Sequence, residues 1–435
     1  MRLISTTGDS PPSDFRQALF QSLAPDGGLF TPDLLPPLAP DVHSALRGEE
    51  FQSIATTIAH HLLGDEFDFE TLDQVVRDAL DFPIPLVKID DGIYLLELFH
   101  GPTLAFKDVG ARFMARVMKL CHSDNEPLTI LVATSGDTGS AVAQAFLGLG
   151  GTRIVVLFPD GQVSDVQERQ FTTLGDNVQA LAVQGTFDDC QRLAKQAFTD
   201  DDLRRRTRLT SANSINIGRL LPQIFYYFAS WAQLPDNDRD LVFCAPCGNF
   251  GNLTAGLMAK RLGLEVDGFV AATNVNDVVP QYLQTGIYEP RPSQPTISNA
   301  MDVGDPSNIT RILHLYDQDL DLLRSDLSSS SHTDEATKGC IREVYATHGV
   351  LLDPHTAVGF LGLTQNLATR DHPTDAILLG TAHPAKFGDT VGQATGAEVP
   401  MPQRLATHLR RPRRVTPIPA RYDELQKVLV SRGDC

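Results

Sequence analysis

The residues best suited to chemistry lie in the run HGPTLAFKDV, from His100 to Val109. The run places Lys107 between a predicted strand, Ile93–Phe99, and a predicted helix, Asp108–Leu120, whose apolar residues recur at helical spacing. Open α/β sheets bind ligands at the carboxyl ends of their strands, so the lysine amine is a candidate nucleophile. A solvated lysine that opens a helix is the simpler interpretation of this run alone, and further turns in the chain argue against it.

A glycine-rich loop, formed by Gly248, Asn249, Phe250, Gly251 and Asn252, follows the apolar run LVFCAPC and precedes a predicted helix. Its successive backbone N–H groups and the dipole of that helix would converge on one concavity, which is a site for a phosphate monoester. The loop lacks the G-K-[ST] ending of a Walker loop and the G-x-G-x-x-G of a dinucleotide site. An ordinary strand-to-helix turn, with glycines for packing, is the alternative.

A second turn, TSGDTGS, contains Ser135, Gly136, Asp137 and Thr138 and opens a predicted helix over 140–149. Its hydroxyl groups and the free amides of the helix N-terminus could hold a carboxylate. A helix N-cap with a satisfied serine or aspartate is the alternative.

A third stretch, NSINIGR, places Asn213 and Ser214 shortly before Arg219, and an apolar helix follows. The planar fork of an arginine can bind a phosphate through two hydrogen bonds. Helix capping combined with a surface arginine is the alternative.

The elements that must position these turns are strand-like apolar runs alternating with amphipathic helical stretches. Such alternation predicts βαβ units and an α/β fold with largely parallel sheets, covered by helices on both faces. The first 90 residues are predicted to be mostly helical, and the four-serine tract at 328–331 is predicted to be a flexible surface turn. Besides Ile93–Phe99, the predicted strands are Leu128–Ala133, Ile154–Phe158, Val178–Val183, Leu241–Ala245, Gly268–Ala272 and Ala376–Leu379.

The 435-residue chain is strongly acidic, with a formal net charge of −18 from 54 acidic and 36 basic residues. Such a surface argues against nucleic acid or an anionic membrane as a partner, and no apolar run has the length of a membrane span. The first residues lack the apolar segment of a signal peptide, so we expect a cytoplasmic protein. The basic island from Arg410 to Arg414 is interpreted as a solvated or ion-paired surface strip.

The six cysteines are sparse and unpatterned, which is typical of a reducing compartment. Cys244 and Cys247 form a C-x-x-C, but no second pair or suitable flank accompanies them. We therefore interpret them as buried structural thiols rather than a redox motif or a zinc site, and we predict no metal site.

One cofactor uses an amine nucleophile, an anion cradle and a carboxylate site together, namely pyridoxal 5'-phosphate acting on an amino acid. Collinear segments of the chain, from about residue 5 to residue 390, resemble the threonine synthase family. They are APDGGLF at 24–30, HGPTLAFKD at 100–108, TSGDTGSA at 134–141, NSIN at 213–216, GNFGNLTAG at 248–256, AATNVND at 271–277, SNAMD at 298–302 and GTAHPAKF at 380–387.

The resemblance implies the fold type II architecture of pyridoxal-phosphate enzymes, with two domains built on parallel sheets and a mostly helical N-terminal domain. The implied division is 1–90 for the N-terminal domain, 91–110 with 214–400 for the large cofactor-binding domain, 111–213 for the small domain, and 401–435 for a C-terminal extension that packs on the large domain. The protein would act on a small-molecule substrate as a monomer or a homodimer.

The same resemblance implies roles for the candidate residues. Lys107 would be the Schiff-base lysine and the catalytic base, and the loop Gly248–Asn252 would hold the cofactor phosphate. Thr381 would face the pyridine nitrogen and Asp137 would lie nearest the ring hydroxyl. The substrate-binding residues would be Ser135, Gly136 and Thr138 for the carboxylate and Asn213, Ser214 and Arg219 for the substrate's own phosphate.

The implied activity converts O-phospho-L-homoserine and water to L-threonine and phosphate, a carbon–oxygen lyase reaction of threonine biosynthesis. Only the handling of the γ-position separates it from a phospho-lyase or dehydratase of a hydroxy amino acid that releases a 2-oxo acid. A non-catalytic regulatory protein that binds pyridoxal phosphate is a further alternative. The intact Lys107 and the complete phosphate cradle disfavour that last interpretation.

Overall fold

The N-terminal region begins with a small antiparallel sheet, of strand order β2-β1-β3, and continues as helices. The computed structural model describes residues 1–122 and 127–431 of the chain. The elements of the N-terminal region are β1 (Arg2–Ser5), β2 (Ser13–Asp14), α1 (Phe15–Gln21), β3 (Phe30–Pro32), α2 (Pro40–Ala45), α3 (Phe51–Leu63) and α4 (Phe69–Ala79).

Strands and helices alternate from residue 86 onward, as the apolar runs predict. The elements up to residue 233 are β4 (Leu86–Asp90), β5 (Ile93–Glu97), α5 (Lys107–Cys121), β6 (Leu128–Ala133), α6 (Asp137–Phe146), β7 (Thr152–Pro159), α7 (Asp165–Thr172), β8 (Val178–Gln184), α8 (Phe187–Thr199), α9 (Asp201–Arg206), β9 (Arg208–Ser211), α10 (Ile217–Leu220) and α11 (Ile224–Gln233).

The remaining elements complete the large sheet and return to the small one. They are β10 (Asp240–Pro246), α12 (Gly251–Arg261), β11 (Gly268–Thr273), α13 (Val278–Thr285), α14 (Ile309–Leu315), α15 (Leu320–Asp326), β12 (Leu327–Ser331), α16 (Asp334–His348), α17 (Pro354–Leu367), β13 (Thr374–Gly380), α18 (Gly388–Thr395), α19 (Gln403–Leu409), β14 (Val415–Pro419) and α20 (Tyr422–Val430). Short 3₁₀ turns occupy Leu221–Gln223, Asn299–Met301 and Pro384–Phe387.

The large sheet has the strand order β12-β11-β10-β13-β5-β4. Its strands are parallel except β4, which pairs with β5 in the antiparallel sense and sets Leu86 opposite Leu96. The strand β4 lies inside the segment 1–90 that was predicted to form the N-terminal domain. That boundary is therefore wrong by a few residues, because the large sheet already begins at Leu86.

The small sheet has the order β14-β8-β7-β6-β9 and is parallel throughout. The segment 401–435, which was predicted to pack on the large domain, contributes to both domains: Leu405 packs with Leu104 and Ala385, whereas Val415–Pro419 pairs with β8 of the small sheet. Leu425 and Leu429 of α20 join the core beneath that sheet, together with Ile418. Residues 432–435 lie outside the described part of the chain.

The basic island helps to anchor this C-terminal segment. Arg413 forms an ion pair with Glu168 of α7, and the backbone N–H of Arg414 donates to the carbonyl of Thr172 at 2.7 Å. Arg413 is thus the member of the island for which the structure shows an ion pair.

The α/β fold class is confirmed, and all seven strands predicted from apolar runs are present. The serine tract at 328–331, however, is not a flexible turn, since it forms most of β12 and pairs in register with β11. This strand lies at the edge of the large sheet, where backbone pairing on one side suffices and several side chains remain partly exposed.

The C-x-x-C pair is buried within and just after β10. Cys244 and Cys247 are free, and their thiols donate to the carbonyls of Gly359 and Ala245, each at 3.1 Å. Their burial and backbone partners are those of structural thiols. Cys435 lies outside the described residues. None of the helices in 1–122 and 127–431 is both long and apolar enough to cross a bilayer.

Candidate active site

A cavity opens where the strands β5, β10 and β13 of the large sheet and β6 of the small sheet end. Its lining comes mainly from the segments that follow these strands, which is where parallel sheets place their ligands. Of the fourteen predicted site residues, Gly136 alone is not part of the lining. The thirteen that line the cavity are Lys107, Ser135, Asp137, Thr138, Asn213, Ser214, Arg219, Gly248, Asn249, Phe250, Gly251, Asn252 and Thr381.

Lys107 is the first residue of α5, and the loop before it is held by a buried carboxylate. Asp108 accepts hydrogen bonds from the backbone N–H and the hydroxyl of Thr103, at 2.8 and 2.7 Å. The Lys107 side chain is 17% exposed, and its Nζ lies 4.0 Å from Oδ2 of Asp137. The lysine is therefore a cavity residue, and the interpretation as a solvated helix start is excluded.

The surroundings of Lys107 favour the neutral amine. Burial lowers the pKa of Lys107 to about 8, against the opposing effect of the Asp137 carboxylate. The positive charges of Lys386 and Arg219 lower it further, while Asp353 opposes them. Because only the neutral amine can attack a carbonyl or accept a proton, this shift suits both a nucleophile and a base.

Asp137 begins α6 and divides its two oxygens between two lysines. Its Oδ1 lies 2.6 Å from Nζ of Lys386 and accepts a further hydrogen bond from Nε2 of Gln167 at 2.8 Å. Burial alone would raise the pKa of Asp137, but the charges of Lys386 and Lys107 hold it well below its usual range. The aspartate is therefore a fixed anion in the cavity.

Lys386 is a residue of the site that sequence reasoning missed. Its side chain is fully buried, and its Nζ donates to Asp137 and to the carbonyl of Thr103, the latter at 2.9 Å. The residue lies in the segment GTAHPAKF that resembles the threonine synthase family, and this was the signal that could have found it. Its partner Asp137 is 249 positions away in the chain, so no local pattern links the two.

The turn before α6 is organised by a threonine and not by a capping serine or aspartate. The Thr134 hydroxyl oxygen accepts from the backbone N–H groups of Gly136 and Gly139, at 2.9 and 2.8 Å. Gly136 has φ +140°, and a Cβ there would lie 2.7 Å from the Gln167 side chain. Gly136 therefore shapes the turn, whereas the neighbouring Ser135 faces the cavity.

The glycine loop turns sharply from β10 into α12. Phe250 adopts a left-handed conformation, with φ +58°, at the first turn of the helix. A Cβ at Gly248 would lie 2.5 Å from the carbonyl oxygen of Ala300, so only glycine fits there without displacing the backbone. The Asn249 side chain donates to the Ser214 hydroxyl at 2.6 Å and accepts from the N–H of Ser307 at 2.6 Å. The loop is thus braced from both sides.

Asn252 carries a free donor at the cavity. Its side-chain oxygen accepts from the hydroxyls of Tyr226 and Tyr227, at 2.6 and 2.9 Å, which fixes the orientation of the amide. The buried Nδ2 has no hydrogen-bond partner. A buried donor of this kind is costly unless a ligand satisfies it.

Arg219 is buried beside the cavity, which excludes its interpretation as a surface arginine. Its Nη1 donates to the carbonyl of Ala212 at 2.5 Å, while its Nε is buried without a partner. Burial lowers its pKa to about 10, and Asp108 opposes that effect. The guanidinium therefore stays charged at neutral pH and has capacity for an anion.

The two residues predicted to act with Arg219 are placed differently from it. Asn213 donates through Nδ2 to the carbonyl of Ala133 at 2.7 Å, and its oxygen accepts from the N–H of the same residue at 3.3 Å. The hydroxyl of Ser214 belongs to the brace around Asn249. Asn213 and Ser214 thus also hold neighbouring backbone and loop atoms, whereas Arg219 keeps a buried Nε without a partner.

Thr381 follows β13 and is held by a short chain of hydrogen bonds. Its backbone N–H donates to the hydroxyl of Thr356 at 3.3 Å, and that hydroxyl donates to the buried Asp353. Asp353 also lies 2.7 Å from Nδ1 of His355, whose Nε2 accepts from the N–H of Ala300 at 3.1 Å. This histidine therefore carries its proton on Nδ1 and ties the loop beside Gly248 to the site.

Comparisons with known proteins decide the family. A family described as "Pyridoxal-phosphate dependent enzyme" matches residues 80–380, "Threonine synthase N terminus" matches 2–80, and "Threonine synthase, C-terminal" matches 356–429. Threonine synthase of Serratia marcescens is 44% identical over 431 residues, which is 99% of each chain. The chain belongs to the threonine synthase family.

Solved structures of this family share the whole fold. The crystal structure of threonine synthase from Escherichia coli aligns with a TM-score of 0.94 at 43% identity, covering 99% of each chain. The structure of pyridoxal-phosphate-bound threonine synthase from Brucella melitensis aligns with a TM-score of 0.92 at 36% identity over 100% of each chain. The fold type II assignment is thereby confirmed.

The residues of the cavity fit the cofactor of this family. Lys107 supplies an amine of lowered pKa, and Gly248 permits the close backbone approach that an anion cradle needs. The unpaired Asn252 Nδ2 and Arg219 Nε are buried donors that anionic groups would satisfy. The chain is accordingly a pyridoxal-phosphate-dependent enzyme.

Proposed function

We propose that this chain converts O-phospho-L-homoserine and water to L-threonine and phosphate, with pyridoxal 5'-phosphate as its cofactor. One observation carries the proposal. An amine of lowered pKa, Lys107, shares a single cavity with two separate anion-binding groups, the glycine loop and the buried Arg219. Two such groups match a cofactor phosphate and a substrate phosphate.

The cofactor would be held by residues already described. Lys107 would be its attachment point, the loop from Gly248 to Asn252 would hold its phosphate, and Thr381 would face the ring nitrogen. When bound, the cofactor provides a carbonyl carbon for an amine and a ring that takes up the electron pair of a deprotonated α-carbon. A neutral threonine hydroxyl stabilises a protonated ring less than a carboxylate would.

Lys107 moves the protons. When its Nζ is free and neutral it can accept the proton of the substrate α-carbon and return a proton to another carbon. The carboxylate of Asp137, 4.0 Å away, would stabilise the ammonium that forms in between. Because the pKa of about 8 lies close to neutral pH, the same atom can act as base and then as acid.

The substrate would be oriented at both ends. Ser135 and Thr138, at the start of α6, would hold its carboxylate with the help of the free N–H groups there. Arg219 would hold its phosphate, first as a substituent and then as the leaving group. A charge-assisted hydrogen bond to a departing phosphate stabilises the charge that develops as the carbon–oxygen bond breaks.

Arg311 adds positive charge behind this region. It is fully buried and donates to the carbonyls of Phe30, Ser214 and Ile215 at 2.6–3.0 Å, and to the side chain of Asn308 at 2.7 Å. In the part of the chain that the structure describes, neither Arg311 nor Arg219 forms an ion pair with a carboxylate. Two buried cations without an ion-pair partner favour anionic ligands.

The location and assembly of the protein are also proposals. The five described cysteines are free thiols, which is typical of a reducing compartment and supports a cytoplasmic location. We propose that the protein acts as a monomer or a homodimer.

The test is an incubation of the purified protein and cofactor with O-phospho-L-homoserine, in which threonine, 2-oxobutyrate and phosphate are measured together. We expect threonine and phosphate in equal amounts, and none with Lys107→Ala. Phosphate accompanied by 2-oxobutyrate instead of threonine would identify a lyase that releases a 2-oxo acid. Absence of turnover with bound cofactor would favour the non-catalytic alternative.

A further inference from the structure

Lys386 is a second buried lysine in the cavity region, and the mechanism above does not use it. It lies in the 3₁₀ turn Pro384–Phe387, on the side of the large sheet, while its partner Asp137 belongs to α6 on the side of the small sheet. Two of its three N–H donors are used, by Asp137 Oδ1 at 2.6 Å and by the Thr103 carbonyl at 2.9 Å.

A buried ion pair of this kind is a poor source of stability. Removing two charges from water costs several kcal/mol, and well-packed apolar residues often stabilise a core at least as well. A second ammonium close to the one on Lys107 adds repulsion to that cost. The arrangement is therefore better explained by what it does to Lys107 and Asp137 than by a contribution to folding.

We propose that Lys386 is a positioning residue for the reaction, which holds Asp137 as a carboxylate between the two lysines and keeps the proton off Lys107. Asp137 gives Oδ1 to Lys386 and leaves Oδ2 at 4.0 Å from Lys107. If Lys386 were absent, both oxygens could turn to Lys107 and stabilise its charged form. The inference rests on the proposed role of Lys107 as the base.

The charged groups around the two lysines support this assignment. Lys107 faces Asp137 and Asp353 as anions and Lys386 and Arg219 as cations. Lys386 also acts on the buried Asp108 and on His383. The repulsion from Lys386 and the attraction to Asp137 oppose each other at Lys107, so the loss of Lys386 shifts the balance toward the protonated amine.

The experiment measures the protonation of the Lys107 amine. The full chain is first freed of cofactor by dialysis against hydroxylamine. Trace acetylation with isotopic acetic anhydride from neutral to alkaline pH, followed by peptide mass spectrometry, gives the midpoint at which each lysine becomes reactive. We expect Lys386→Met to raise the Lys107 midpoint by about 1 pH unit or more, and Lys386→Arg to leave it near the original value.

The matched control is Lys260→Met. This change breaks the 2.7 Å ion pair between Lys260 and Asp326, which lies away from the cavity, and it should leave the Lys107 midpoint unchanged. A folded Lys386→Met chain with an unshifted Lys107 midpoint would overturn the proposal and leave Lys386 a structural cross-link. If that variant does not fold, Lys386→Gln, which keeps an N–H donor and removes the charge, takes its place with the same expected rise of the Lys107 midpoint, and an unshifted midpoint overturns the proposal.

The labelling midpoints of the lysines do not depend on turnover. A chain that makes no threonine but shows the expected midpoints would refute the proposed function and leave the role of Lys386 toward Lys107 intact.

Discussion

At the scale of single residues, Arg219 shows how burial can prepare a site for an anion. Its guanidinium is 4% exposed, its Nε has no hydrogen-bond partner, and burial lowers its pKa without neutralising it. An unsatisfied buried donor is costly, and a bound phosphate would offset that cost. The residue is therefore expected to matter more for the substrate than for the cofactor.

Replacing Arg219 by alanine removes one charge-assisted contact, worth about 1.5–3 kcal/mol, so kcat/KM toward O-phosphohomoserine should fall about 10- to 150-fold. The loss should be larger if the leaving phosphate takes part in the chemistry. Arg219→Lys should recover only part, because an ammonium lacks the planar fork. Cofactor absorbance should be normal in both variants. Loss of cofactor from Arg219→Ala would place this arginine at the cofactor instead.

The residues found from sequence are those with a local signature. Lys107 and the glycine loop follow apolar strands and carry recognisable spacing, so the sequence could place them in the cavity. Lys386 and His355 act through partners that only the fold brings near, namely Asp137 and the backbone of Ala300. The hydrogen bond from the Asn213 amide to the carbonyl of Ala133, at the end of β6, likewise depends on the fold and has no local signature.

At the scale of elements, the glycine loop makes a prediction about backbone fit. A methyl group at Gly248 would lie 2.5 Å from the Ala300 carbonyl, and both segments line the cavity. Gly248→Ala should therefore weaken cofactor binding, measured by titration of absorbance, more than it lowers the melting temperature. Gly339→Ala is the control, since a Cβ there meets nothing within 4 Å in the middle of α16. It should be neutral or stabilising by up to about 1 kcal/mol.

A Gly248→Ala chain that melts at a much lower temperature but binds cofactor normally would make the loop a packing feature only.

The strands of the two sheets show which elements can be recognised from the sequence. Central strands such as β10 are apolar along their length because helices cover both faces. Edge strands lack that pattern, and so the serines of β12 and the VTPIP of β14 were not recognised. The two prolines of β14 lack an N–H group, but they are two residues apart, so the N–H groups of the residues between them can still pair with β8. Such prolines are tolerated because β14 is an edge strand.

At the scale of the whole molecule, the chain returns at its C-terminus to complete the small sheet. Ile418 is the buried residue of β14, whereas Thr416 in the same strand is exposed. Ile418→Asp should place a carboxylate in the core, lower the melting temperature and expose the amides of β8 to hydrogen exchange. Thr416→Asp should change the stability by no more than about 0.5 kcal/mol. Equal effects of the two would show that β14 is not docked as described.

The stability of the cofactor-free molecule should also depend on pH through Lys107. Its pKa is about 8 in the folded chain and 10.5 for an ordinary lysine, so between these values the unfolded chain binds a proton that the folded chain does not. The free energy of unfolding contributed by this group therefore rises with pH across that window, by about 3 kcal/mol for a difference of roughly 2.5 pKa units.

The Lys107→Met chain lacks this linkage and should be the more stable one at neutral pH. The gap between the free energies of unfolding of the two chains should narrow as the pH increases. Denaturant unfolding of both chains over this range gives the gap directly. A gap that stays constant would mean that the folded chain holds Lys107 at its ordinary pKa, and the lysine would then be almost fully protonated at neutral pH and unable to serve as the base.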